Sequence, residues 1–349
     1  MLPDNNEMDS LLSLEDKINY NGAKKLIMLF TLLGSVFTFV MLARYGFTVS
    51  YFTNIDSLLE MNHQIAVSRY TGEGADLVSI FNRVVLSLVY AAPLAGGAFF
   101  PYAQGRGEKL LCIVTFLPSL LVVFSQNTKA TLIACVIFWF SAFLGATIRR
   151  KGSLTFNLKG IVQGLLISVI VGATLFLSML LRIGVINATT IETVEQKFLR
   201  YALSHVLAID SWIDLNIFKS DLTMGEQTFI GITRYIGFTT RSQGVYSDVF
   251  YGDGFSTNVF TYFRGIYQDF GFIGSFIFFF ILGMLMGYVY KKLYQNPIAK
   301  PSTEAILVLL YSFSLYYIVS LFSYASFILA FVIFFLYLKI LRTPRAYLL

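Results

Sequence analysis

Charge is scarce in this chain of 349 residues. Asp, Glu, Lys and Arg together make up 13% of it, against about a quarter in an ordinary soluble domain, and that excludes a water-soluble globular domain. Histidine is scarcer still, with His63 and His205 the only two, so a His-rich zinc site is excluded. The chain also has no Walker loop, no G-x-S-x-G, no H-E-x-x-H and no D-x-D of the kind that carries a metal in nucleotide-sugar transferases. Any enzyme here is therefore expected to work without a bound metal or other cofactor. Cysteine is limited to Cys112 and Cys135, which lie at different depths of two apolar runs. Helix rise alone then separates them by more than the ~7 Å limit for a disulfide, and both read as inert packing residues. No compact basic patch with interleaved aromatics occurs, which argues against nucleic acid as a partner. The first 22 residues are mostly polar and acidic and lack a basic n-region followed by a cleavage site, so no removable signal peptide is expected.

Apolar sequence is abundant instead, at 56% hydrophobic and 17% aromatic residues. Spans of about 20 apolar residues cross a bilayer core of roughly 30 Å. They are expected at about 26–43, 78–100, 110–124, 130–148, 161–181, 271–290, 305–321 and 327–341, the third and eighth being short. The fold class is thus an all-α integral membrane protein of about eight transmembrane helices. Lys and Arg concentrate in short cytoplasmic loops. Eight spans with both termini cytoplasmic put Lys24/Lys25, Arg106/Lys109, Arg149/Arg150/Lys151, Lys291/Lys292 and Arg342/Arg345 on that one side, leaving Lys129 as the single basic residue of the short outer turns 125–129 and 322–326. The +6 net charge is mostly this orientation signal. The organisation expected is a polar cytoplasmic tail at 1–22 and a single polytopic membrane domain at 23–349, with external loops at 44–77 and 182–270.

The larger loop carries a helical period over 194–215. Gln196, Lys197, Arg200, Ser204, Ser211 and Asp214 fall on one face, and Phe198, Ala202, Val206, Ile209 and Ile213 on the other. Leu203 and Leu207 spoil the separation. A helix lying flat on the membrane fits this pattern, with Tyr201, His205 and Trp212 along its border, and a helix packed among other loop elements is the alternative. From 225 to 258 glycines every few residues predict turns between short elements. Arg69, Lys129, Arg200, Arg234, Arg241 and Arg264 sit in the external loops or at span mouths, where each could be a solvated surface cation. As a set they suit a substrate that presents phosphate, because guanidinium forks bind phosphate oxygens bidentately. Lys129 stands beside the free N–H groups of a helix N-terminus, which favours anions, although a lysine there also snorkels to the interface.

The stretch STNVFTYFRGIYQDFGFIGSF (256–276) resembles the segment before a late transmembrane helix in bacterial oligosaccharide repeat unit polymerases, the O-antigen polymerase or Wzy-type group. AVSRYTGEG (66–74), NTKATLIACVIFW (127–139), FLRYALSHVLAID (198–210) and GEQTF (225–229) resemble the same group in the same order. The smaller number of spans is a departure from that pattern. The resemblance implies a fold related to the lipid-dependent, GT-C-like glycosyltransferases. It also implies an enzyme of the bacterial inner membrane that joins undecaprenyl-diphosphate-linked glycan units at the periplasmic face, in membrane lipid and with a chain-length regulator protein as a further partner. Under that reading Arg264, with Tyr262 beside it, holds the leaving diphosphate. Asp269 either caps the sixth span, orients Arg264 or deprotonates the acceptor hydroxyl, and His205 is either the catalytic base or a residue of the aromatic belt. An O-antigen ligase is the competing enzyme. A lipid-linked oligosaccharide flippase or other transporter is the competing class, but it would place charge along a mid-membrane pathway, where these spans have almost none.

Overall fold

Helices form over the apolar runs. The computed structural model describes residues 18–44, 46, 48, 50, 54–71, 80–126, 128–154, 158–183, 187–216, 222–234, 236–238, 249–251, 255–257, 261–296 and 299–342. Among these residues six helical stretches are long and apolar enough to cross a membrane. They are α1 (Tyr20–Arg44), α3 (Ile80–Phe99), the pair α4 (Arg106–Val114) and α5 (Leu117–Gln126), α6 (Lys129–Lys151), α7 (Leu158–Ile183) and α10 (Tyr262–Gln295). The expected seventh and eighth spans are the shorter apolar helices α11 (Pro301–Leu315) and α12 (Ala325–Leu341). The protein is thus an α-helical, multi-pass membrane protein.

Three boundaries differ from the expectation. The third span is divided at Thr115 and Phe116, two residues ahead of Pro118; the Thr115 hydroxyl donates to the Cys112 carbonyl at 2.6 Å. The seventh stops at Leu315 and continues as non-helical chain through residue 320 before a short 3-10 turn, Leu321–Ser323. The sixth begins at Tyr262, well before residue 271.

The loops also hold structure that hydropathy does not announce. The first contains α2 (Ile55–Thr71), which buries Leu59, Met61 and Ile65 and donates from the Asn62 carboxamide to the Phe124 carbonyl at 2.6 Å. In the second lie α8 (Ala188–Asn216), the short α9 (Ile230–Thr233) and an antiparallel hairpin, β1 (Val249–Tyr251) with β2 (Phe255–Thr257), in the register Val249 to Thr257. This hairpin is the one departure from an all-α fold among the described residues. Residues 1–17 of the expected polar tail lie outside them.

At the centre α3 packs against α1, α6 and α12. Its face of Ala91, Ala92, Ala95 and Ala98 is fully buried, and a Cβ on Gly97 would overlap the Trp139 carbonyl of α6. Small residues let membrane helices approach closely, which matters because lipid supplies little hydrophobic drive for helix association.

Lys24, Arg149 and Arg342, three of the basic residues expected on one side, meet acids at one end. Arg149 closes α6, Arg342 follows α12, and both bind Glu304 in the first turn of α11. The Arg149 Nη1 to Oε2 distance is 3.1 Å, and Arg342 Nη2 lies 2.8 and 2.9 Å from the two carboxylate oxygens. Glu304 is fully buried. Lys24 pairs with Glu108 at 2.9 Å, and the Asn19 amide donates to the Leu341 carbonyl at 3.0 Å. The two long loops sit at the opposite end.

Candidate functional site

The opening turns of α10 form a separate helical segment. Gly271 breaks the helix with φ 67° and ψ −174°, a combination essentially restricted to glycine, so residues 262–270 run at their own angle before the membrane-crossing part starts. Thr261 is the N-cap and makes no side-chain capping bond. The Tyr262 amide instead donates to the Tyr317 carbonyl at 3.0 Å, in the non-helical joint between α11 and α12. Tyr262 itself is buried, its ring 4.6 Å from Phe263 and 5.2 Å from Phe313.

Arg264 is 3% exposed. Its guanidinium lies 4.9 Å from the centroid of Trp212 on α8, and the same indole meets Tyr267 edge-on at 5.6 Å. A cation over an indole face is attracted by the ring quadrupole, the more so when desolvated. This arrangement fixes the cation on a rigid aromatic surface. The periodicity of α8 did not predict it, because Trp212 read as a residue on the border between the two faces. The structure corrects the face assignment: Ser204, Ala208 and Trp212 are buried, while Leu199, Leu203, Val206 and Leu207 are each more than half exposed. These four fall at i, i+4, i+7 and i+8, a single ridge diametrically opposite the buried strip. The buried strip wins because Trp212 packs on the ring of Tyr267, with His205 beside the strip against Tyr317.

Asp269 does not cap the sixth span. It sits eight residues past the N-cap, is 0% exposed, and its carboxylate serves the loop instead. Oδ1 accepts from the Thr223 hydroxyl at 2.5 Å and the Gln227 amide at 2.9 Å, and Oδ2 accepts from the Thr228 amide at 2.6 Å. Two backbone bonds reinforce this knot, Thr223 N to Gln268 O at 3.0 Å and Met224 N to Asp269 O at 3.2 Å. The loop is tied again on its far side. The Ser320 hydroxyl donates to the Thr228 carbonyl at 2.6 Å, and Gly231 rests on the backbone of Phe322 and Ser323.

His205 lies seven residues, two turns, before Trp212 on the same side of α8, and its ring is 5.4 Å from Tyr317. Partial burial lowers its pKa from the ordinary histidine value. His205, Tyr317, Tyr262, Arg264, Trp212 and Asp269 therefore form one connected neighbourhood where α8, the head of α10 and the α11–α12 joint meet. The other sequence candidates are placed apart from it or are not described. Lys129 opens α6, half-buried, with Arg182 of α7 near enough to act on it electrostatically. Arg234 is exposed just after α9. Arg69 and Arg200 lie on α2 and α8, and their side chains, like all of Arg241, fall outside the described residues. No three His, Cys, Asp or Glu side chains come together as a metal site among the described residues. The residues that sequence reading missed are Thr223, Thr228, Tyr317 and Ser320, together with the cation-binding role of Trp212. Only the GEQTF motif hinted at the loop.

The fold and this neighbourhood define a polytopic α-helical membrane protein with an ordered extramembrane loop docked on a cationic and polar site. The chain matches no family model, no curated protein and no solved structure.

Proposed function

We propose that this protein is an oligosaccharide repeat unit polymerase, which transfers a growing glycan from undecaprenyl diphosphate to a fresh lipid-linked unit at the periplasmic face of the bacterial inner membrane. The observation that carries the reading is Arg264, a buried cation clamped on Trp212 at the head of a broken membrane helix. In the proposed step the bond between the anomeric carbon and the diphosphate oxygen breaks, and the leaving diphosphate keeps the electron pair. An acceptor hydroxyl forms the new glycosidic bond and gives up its proton. A preorganised cation stabilises the charge that develops on the leaving group, and losing one such group costs about 3 kcal/mol of barrier. Arg264 takes this part. His205, whose pKa partial burial lowers, is the proton acceptor. Asp269 orders the loop over the site. The uncovered ridge of α8 rests on lipid, which keeps the site at the depth of the diphosphate.

The test is the glycan made by a deletion strain complemented with variants. Loss of long chains with retention of single-repeat glycan is expected for the deletion, whereas loss of every repeat identifies a ligase or a flippase. Arg264→Ala is expected to abolish long chains at normal protein levels. Arg264→Lys should lose most of them as well, because an ammonium keeps the charge without the bidentate fork or the planar stack on indole. Wild-type chain length from Arg264→Ala removes Arg264 from the chemistry.

A further inference from the structure

The knot around Asp269 holds three polar side-chain atoms that are buried and find no hydrogen-bond partner among the described residues: Gln227 Nε2, Thr228 Oγ1 and Gln268 Oε1. Gln227 and Thr228 are 8% and 0% exposed. Native structures pair the great majority of such atoms, since leaving one buried and unmade costs about 1–3 kcal/mol. Their residues are neighbours in space as well as in kind. Gln227 and Thr228 share the Asp269 carboxylate through their amides, and the Gln268 carbonyl accepts from Thr223 of the same loop. Arg264 is one helical turn before Gln268, so the two share a face of the 262–270 segment.

We propose that Gln227, Thr228 and Gln268 form a subsite for the sugar ring next to the diphosphate, binding its hydroxyl groups. The chemistry of the three atoms chooses this ligand. An amide N–H donates, an amide oxygen accepts and a threonine hydroxyl does both, which matches vicinal hydroxyls, each of which donates and accepts. A phosphate or carboxylate takes donors alone and would face repulsion from Gln268 Oε1 and the Asp269 carboxylate. A cation would need acceptors alone, and Gln227 Nε2 opposes it. The rings of Phe229 and Phe322, 5.3 Å apart, stand beside the loop and supply apolar surface for the C–H faces of a sugar. Asp269 is the positioning residue of this subsite, because its carboxylate sets the two loop amides that carry Gln227 and Thr228.

This inference rests on the polymerase reading, and the two fail differently. The full-length protein in lipid nanodiscs is titrated with lipid-linked oligosaccharide isolated from the deletion strain and, separately, with undecaprenyl diphosphate. Thr228→Val and Gln268→Met keep shape and remove hydrogen-bonding atoms; Gln227→Met does the same from the loop side. Each pair of changes is expected to weaken lipid-linked oligosaccharide by about tenfold, at roughly half that factor in logarithm per hydrogen bond, and to leave undecaprenyl diphosphate unchanged. Arg264→Ala should weaken both ligands. If the variants bind lipid-linked oligosaccharide as wild type does, or lose both ligands alike, the sugar subsite is overturned while the polymerase reading stands. If the wild-type protein binds neither ligand, both are overturned.

Discussion

Three donors meet at the Asp269 carboxylate, and an asparagine cannot serve them all. One oxygen would be replaced by an NH2 group facing a hydroxyl or a backbone N–H, so a buried donor is left unpaired at a cost of about 1–3 kcal/mol. Asp269→Asn is therefore expected to lower the unfolding free energy by about that amount, read by thermal or denaturant unfolding in nanodiscs, and, under the proposed polymerase function, to shorten the glycan. As an N-cap, Asp269 would have tolerated asparagine almost silently; an unfolding midpoint equal to wild type contradicts the knot. His205 supplies the pH dependence. Its folded-state pKa is lowered by burial, so the unfolded state binds the proton more readily. The associated stability is complete above the unfolded value of about 6.5 and is lost as pH falls from there through the folded value. In a His63→Gln background the His205 ring should titrate by NMR below about 6.5, and a midpoint above that removes it as a neutral base at pH 7.

At the scale of elements, the break at Gly271 aims the 262–270 segment at α8. Its φ of 67° with ψ −174° suits no residue with a Cβ, and alanine there costs on the order of 1–3 kcal/mol. Gly271→Ala is expected to destabilise by this amount and, under the proposed polymerase function, to reduce long glycan more than its stability loss accounts for, because the two halves of α10 would tend to straighten and draw Arg264 off Trp212. In a Trp139→Phe background a shift in Trp212 emission reads the loss of that contact, with unchanged emission overturning the idea. The sequence placed the start of the sixth span at residue 271, which is where the helix breaks, yet hydropathy could not show that the polar residues before it are helical too. In α8 the period was legible and the face was not. Both sides of that helix carry apolar residues, and the neighbour with aromatic rings decided which side was buried.

Across the whole molecule, three helix ends are fastened by one acid. Glu304 is shared by Arg149 and Arg342, and removing it leaves two buried guanidinium groups without a counter-charge. Breaking a buried pair in this way costs about 3–5 kcal/mol, so Glu304→Gln should lower the unfolding midpoint far more than Glu108→Gln, whose pair with Lys24 is partly exposed and worth about 0–1 kcal/mol. Unfolding of the two variants side by side checks this, and equal effects contradict the clamp.

What the sequence by itself determined about this protein is the set of apolar helices and the meeting of Lys24, Arg149 and Arg342 at one end. Both follow from local quantities, the length of an apolar run and the charge of the short loop after it. The tertiary structure alone decided the partners of the polar side chains. Asp269 reaches residues 41 to 46 positions earlier, Arg149 reaches Glu304 across 155 positions, and Arg264 finds an indole on another helix. In each case the identity of the residue announced a need for a partner, since a buried charge must be compensated. Which partner answered it depended on how the helices packed and on where the loop came back to rest.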